Sequence, residues 1–295
     1  MFETNALRLA TFTALLATAS CALLSTTGCT GLANKFILFP SHHPIAATAE
    51  RVVIAGDDEV PPIETYHLHV GDADAEPTAF VLAFTGNAGR AEHIPLRVAH
   101  TLDAHTPGTT TLSRRNVTIV GMQYPGYGER PVGSADLSEL GEFGIRAYDD
   151  LCKRAGDRPV YLYGLSLGTT LALHIAATAH DRPPAGLILD RPPELRGIII
   201  GDNGWWNFWA LSFPVWWGVP SSADSERNGK LVGSVPALFL LSDADEMVRP
   251  VHQQRVANAY AGPKQVVWAS CSHTALIDAT NAPNLLGGLR WLLGN

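Results

Sequence analysis

The run Val160-Tyr161-Leu162-Tyr163, the pentapeptide Gly164-Leu165-Ser166-Leu167-Gly168 and the stretch Thr169–Ala179 constrain this chain more than any other segment. The first run is short and apolar and reads as a buried strand; the last reads as a helix. Passing from one to the other within five residues demands a sharp turn. Glycines are needed at 164 and 168 because strand and helix pack there too closely for a Cβ. Such a turn exposes the Ser166 hydroxyl at the carboxyl end of the strand, with a backbone N–H beside it. In a chain with 27 glycines the pentapeptide alone is a weak signal. Its weight depends on whether an acid, a base and oxyanion donors follow the right order.

Strand-like runs recur at 51–55, 63–70, 80–84, 117–122, 160–163, 187–189, 237–241 and 265–269. The later ones are short, almost wholly apolar and separated by helix-length segments, the pattern of a parallel sheet covered on both faces. The first two, with alternation in Tyr66-His67-Leu68-His69-Val70, read as an antiparallel edge. Helices are predicted over 91–105, 136–154, 169–179, 251–261 and 283–293. The expected fold is α/β: one doubly wound, mostly parallel eight-stranded sheet over residues 51–295. Residues 192–230 interrupt the rhythm and hold five of the seven tryptophans (205, 206, 209, 216 and 217). They read either as a helix and loop packed on the core or as a short cap lining an apolar pocket.

Reacting groups in such a sheet collect at the carboxyl ends of strands, and the chain order is serine, then acid, then histidine. That order eliminates most of the eleven histidines. His252 falls inside a predicted helix, whereas His273 follows the last strand through Ser270-Cys271-Ser272, so His273 is the candidate base. The preceding strand ends in Ser242-Asp243-Ala244-Asp245-Glu246, which offers three carboxylates to orient an imidazole, with Asp245 favoured. Oxyanion donors are expected from the N–H of Leu167 and from the turn Thr85-Gly86-Asn87-Ala88-Gly89, where Asn87 would supply the second N–H.

The amino terminus differs in kind. Leu9–Leu24 is apolar and uncharged and is followed by Ser25-Thr26-Thr27-Gly28-Cys29. This resembles a bacterial lipoprotein signal peptide over residues 1–28, with Cys29 lipidated; Ser20-Cys21 is a competing cleavage site. The expected location is then the cell envelope, lipid-anchored to a membrane, with secretion as the alternative. Residues 29–50 lack periodicity and read as a linker. The net charge of −7 and the absence of any Lys/Arg block argue against nucleic-acid binding. Cys152 and Cys271 have no metal-like or disulfide-like spacing, and neither a metal nor a cofactor is expected.

Taken together, Gly86-Asn87-Ala88-Gly89, Tyr124-Pro125-Gly126-Tyr127-Gly128, Gly164–Gly168, Asp245-Glu246-Met247-Val248-Arg249-Pro250 and His273 resemble, in order, the Bem46-like serine hydrolases of the α/β-hydrolase superfamily. The resemblance favours Asp245, since the family's acid is followed by a Val and then a Pro. It implies an acyl-enzyme on Ser166, a small-molecule ester or thioester substrate, and His273 and Asp245 as base and acid. Two departures stand out. Thr85 replaces the family's His, and Asp190-Arg191-Pro192-Pro193 replaces a Ser-Pro-Phe type of sequence. A catalytically silent envelope lipoprotein and an acyltransferase or peptidase with the same triad are the rival readings. A dehalogenase would want an Asp at 166.

Overall fold

The structure, a computed structural model, describes residues 28–46, 48–56, 61–72, 74–102, 116–202 and 212–294. Eight strands form one sheet: β1 (Glu50–Ile54), β2 (Ile63–Val70), β3 (Ala79–Phe84), β4 (Val117–Met122), β5 (Val160–Leu165), β6 (Gly186–Asp190), β7 (Ala237–Ser242) and β8 (Lys264–Ala269). Their order is β1-β2-β4-β3-β5-β6-β7-β8. β1 pairs antiparallel with β2, and β2 with β4; every later pairing is parallel. The two-residue side-chain period of a strand sorts β3 cleanly. Phe80, Leu82 and Phe84 enter the core on one face, while Ala79, Val81 and Ala83 enter the core on the other. Both faces are covered, so the central strands read as unbroken apolar runs.

The face lined by Phe80, Leu82 and Phe84 is covered by α3 (Leu137–Ala155), α4 (Leu167–Thr178) and α8 (Pro250–Ala259), the other by α2 (Ile94–Leu102) and α9 (Leu285–Leu293). The Asp136 carboxylate caps α3 by accepting from Ser138 N–H, and Gly156, at φ 59°, ends it. Two expected helices differ at their ends. Residues 91–93 form a turn before α2, and 103–105 lie outside the described residues; α4 begins at Leu167 because the turn is complete at Ser166.

The segment read as a linker is corrected in part. Residues 28–37 form a helix, α1, and Leu32, Ala33 and Leu38 lie in the main core. A Cβ on Gly218 would stand 2.0 Å from the Cys29 carbonyl oxygen and 3.0 Å from Ala33 Cβ. Close packing against a glycine therefore holds a helix that Thr30 and Gly31 disfavour by propensity.

Of the Trp-rich stretch, residues 203–211, including Trp205, Trp206 and Trp209, lie outside the described residues. The rest comprises the turn α5 (Leu195–Gly197), a π-helical segment (Ile198–Asp202), α6 (Ser212–Gly218) and α7 (Ser225–Leu231), which packs on α4 and α8. Residues 1–27, which carry the expected signal peptide, also lie outside. Among the described residues no helix is long and apolar enough to cross a membrane.

Candidate active site

Ser166 occupies the turn between β5 and α4 with φ 49° and ψ −119°. A non-glycine residue in this region carries strain of about 1–3 kcal/mol, which the surroundings must offset. They do so through the backbone: Ser166 N–H donates to Asp190 O at 2.8 Å, and its carbonyl accepts from Thr169 N–H and Oγ1. A Cβ on Gly164 would meet Thr169 Cα at 2.5 Å, and one on Gly168 would meet the Phe84 carbonyl oxygen at 2.3 Å. Both glycines are thus imposed by close packing of α4 on β3 and β5.

The turn 85–89 follows β3 and faces the serine, since a Cβ on Gly86 would sit 3.4 Å from Ser166 Cβ. Tyr124 OH donates to Thr85 O at 2.6 Å, and Tyr127 OH to Asn87 Oδ1 at 3.1 Å. Burial raises both phenols, Tyr127 to about 12, so they stay protonated donors throughout the physiological range. The Asn87 side chain also accepts from Phe39 N–H and donates to Ile37 O. The turn is therefore braced by two tyrosines and by the segment after α1. Among the described residues the N–H groups of Asn87 and Leu167 have no hydrogen-bond partner. Two orphan donors near the hydroxyl of the buried Ser166, 8% exposed, are the arrangement an oxyanion requires.

Asp245 and His273 lie beyond the ends of β7 and β8 and meet: His273 Nδ1 stands 2.7 Å from Asp245 Oδ2. The other carboxylate oxygen accepts from the N–H groups of Met247 and Val248, and Gln253 Nε2 adds a contact of 3.2 Å to Oδ2. Every lone-pair direction of this 4 % exposed carboxylate is thereby used. A carboxylate at Nδ1 fixes the proton there and leaves Nε2 as the basic nitrogen. Asp243 is exposed and its backbone N–H bonds Ala269 O; Glu246 instead accepts the backbone N–H of His273. His252 pairs with Asp202, 3.0 Å from Nε2. Among the described residues no hydrogen bond joins the Ser166 hydroxyl to His273, a contact that commonly tightens only with substrate bound. No cluster of His, Cys, Asp and Glu among those residues could hold a metal ion.

No family model matches the chain. Curated relatives match locally. The lysophosphatidylserine lipase ABHD12 of Xenopus tropicalis is 35% identical over 83 residues, 28% of this chain and 21% of that protein. The mouse (Mus musculus) protein is 31% identical over 123 residues, 41% of this chain and 28% of its own length. The match thus spans little more than a quarter of these relatives at most. Solved structures match almost throughout. An acetyl xylan esterase from Paenibacillus sp. R4 superposes with TM-score 0.59 at 15% identity, covering 90% of this chain and 92% of its own. Est1E from Butyrivibrio proteoclasticus gives 0.56 at 15%, covering 83% and 98%.

This chain has the α/β-hydrolase fold. Within that fold, Ser166 stands at the strand-to-helix turn after β5, Asp245 after β7 and His273 after β8. Sequence reasoning missed three contributors. Gln253 locks the acid loop by accepting Ser242 N–H and donating to Val248 O. The segment after α1 grips Asn87. The buried pair Asp190–Arg191 lies between the Ser166 turn and the His273 loop. The departure of Asp190-Arg191 from the expected sequence was the only signal for the third.

Proposed function

We propose that the protein is a serine hydrolase that cleaves a carboxylic ester or thioester with an apolar acyl or alcohol group. The observation that carries the reading is the 2.7 Å Asp245–His273 pair at the same end of the sheet as a strained, glycine-flanked Ser166. Ser166 Oγ attacks the acyl carbonyl while His273 Nε2 takes its proton; Asp245 holds the imidazole and stabilises its charged form. The carbonyl oxygen becomes an oxyanion that accepts from the N–H groups of Asn87 and Leu167. His273 returns the proton to the leaving alcohol or thiol. Water, deprotonated by the same nitrogen, then releases the acid from the acyl-enzyme.

Local likeness to lysophosphatidylserine lipases makes single-chain acyl glycerophospholipids the first natural class to assay. A p-nitrophenyl ester series from short to long chains, with matching thioesters, tests the breadth. Longer acyl groups should give higher kcat/KM, and turnover confined to charged substrates would contradict an apolar pocket. Ser166→Ala should abolish labelling by a fluorophosphonate probe. If the variant still labels, Ser166 is not the nucleophile.

The membrane is the proposed partner, through a lipid on Cys29 in a bacterial envelope. The support is local. Cys29 is partly exposed at the start of α1, and its carbonyl packs on Gly218. Next to Gly218, Trp217 is 74% exposed, with Phe213 exposed one turn before it and Phe36 exposed two turns along from Cys29. Lys35 is the sole charged residue in 28–49, and 203–223 has none. Intact-mass analysis of the full chain, with Cys29→Ser as control, reads the modification directly. An unmodified Cys29 would refute the anchor and leave the hydrolase reading standing.

A further inference from the structure

Two charged side chains with no part in the reaction as written are wholly buried. Asp190 ends β6, and Arg191 follows it at φ 53°; both are 0% exposed. A charge in the interior is retained only where its partners replace water, and the partners here lie in the two halves of the candidate site. Arg191 Nη1 donates to the carbonyl of His273 at 2.7 Å. Its Nη2 donates to Ala275 O at 2.8 Å and touches Cys271 Sγ at 3.1 Å. The Asp190 carboxylate lies 3.3 Å from Arg191 Nη1 and 3.6 Å from Arg97 Nη2, and accepts from Tyr163 OH at 2.7 Å. Arg97 in turn donates to the carbonyls of Thr274 and Ala275. Two guanidiniums around one carboxylate therefore hold three consecutive carbonyls of the loop that bears His273. The same dipeptide reaches the nucleophile: Asp190 O accepts Ser166 N–H, and Arg191 N–H donates to Leu240 O in β7.

We infer that Arg191 is the positioning residue of the candidate base, its guanidinium fixing the 273–275 backbone relative to the Ser166 turn through Asp190. The inference rests on the serine-hydrolase reading above. It explains why an arginine occupies a left-handed backbone conformation at the end of a central strand. From there its planar donors reach two loop carbonyls while its own N–H donates to Leu240 O in β7. Lysine could not replace the fork, because one ammonium cannot span His273 O and Ala275 O in a plane. Glu246 accepts the His273 N–H and Ser242 Oγ donates to Cys271 O, but Asp245 holds only the ring of His273, and the carbonyls of 273–275 are held by the two arginines. A shift of the base by about 1 Å is enough to cost on the order of 100-fold in rate.

The test compares wild type, Arg191→Gln, Arg191→Lys and Arg97→Gln as full chains. It measures fluorophosphonate labelling rate, kcat and KM on a short water-soluble ester, and thermal midpoint. The proton NMR signal of the hydrogen bond between His273 and Asp245, far downfield, reports the geometry directly. Arg191→Gln should lower kcat and the labelling rate by roughly 10- to 100-fold with KM changed less than about threefold, and should broaden that signal. Arg191→Lys should recover part of the loss, and Arg97→Gln should lower kcat by a few fold. If Arg191→Gln lowers only the thermal midpoint and retains wild-type kcat and signal, the residue is structural and the inference is wrong. Should that variant not fold, Arg97→Gln and Arg191→Lys decide, and wild-type kinetics in both overturn the inference. Wild-type protein that fails to label at all would instead sink the hydrolase reading.

Discussion

Replacing Gly168 with alanine probes the packing on which the site depends. Gly168 is the second residue of α4, and its missing Cβ would lie 2.3 Å from the Phe84 carbonyl oxygen, 2.6 Å from Phe84 C and 2.8 Å from Phe84 Cβ. These are backbone and near-backbone atoms of the central strand β3, so no flexible side chain can yield. Reaching an ordinary contact requires α4 to withdraw from β3 by about 1 Å. Overpacking of this kind costs about 1–3 kcal/mol in stability. The functional cost is larger, because α4 carries the Leu167 N–H while the end of β3 carries the Asn87 turn. Separating them by about 1 Å lengthens at least one bond to the oxyanion, and removal of such a donor costs on the order of 100-fold or more in kcat. The assay is fluorophosphonate labelling rate and kcat beside the thermal midpoint, with Gly287→Ala as control. Gly287 lies within α9 with nothing within 4 Å of a built Cβ, so that change should raise stability by about 0.5–1 kcal/mol and leave kcat alone. A Gly168→Ala enzyme with wild-type kcat and midpoint would refute the reasoning from close packing.

Other outcomes follow from the same geometry. Asp245→Asn should cut kcat on an activated ester by on the order of 10⁴-fold, whereas Asp243→Asn should stay within about twofold; the reverse ranking would move the acid to the exposed carboxylate. Mild acidification should destabilise the fold through three buried or half-buried histidines. Burial lowers the pKa values of His67, His174 and His252, reinforced by Arg154, by Arg227, and by Arg249 with Arg255, respectively. Glu194 opposes the shift at His252 without reversing it. Below an unfolded value of about 6.5 the unfolded chain binds more protons than the folded one, so stability is lost as pH falls through that window. The thermal midpoint should therefore drop between about pH 7.5 and pH 5, and a flat profile would contradict it.

Much of the fold was legible because it depends on local patterns. The eight strands were locatable to within about two residues, since buried parallel strands are short apolar runs punctuated by turn residues. Helix α3 was legible as the stretch that starts at Asp136, and α4 as the helix-like stretch after the Gly164–Gly168 turn. α1 was not, because its stability comes from contacts with Gly218 and the main core, residues far away in sequence. Asn87 was legible as a turn residue beside a glycine, but nothing local foretold that Phe39 N–H and Ile37 O would clasp its side chain. Gln253 looks like any polar residue of a half-exposed helix until the chain folds it against Ser242 and Asp245.

By itself the sequence determined a strand–Ser166–helix turn with its obligatory glycines, and offered candidates in the order serine, acid, histidine, each beyond the end of a strand. These follow from steric rules acting over a few residues and from the chain order that a doubly wound sheet permits. Only the tertiary structure decided which of three neighbouring carboxylates meets His273. The difference between Asp243 and Asp245 is one of direction, toward solvent or toward the loop that follows the next strand, β8. It also turned Asp190-Arg191 from an unexplained departure into a buried pair whose guanidinium is hydrogen-bonded to the loop that bears His273. Hydrogen bonds from a guanidinium to backbone carbonyls leave no trace in the identity of the residues that accept them.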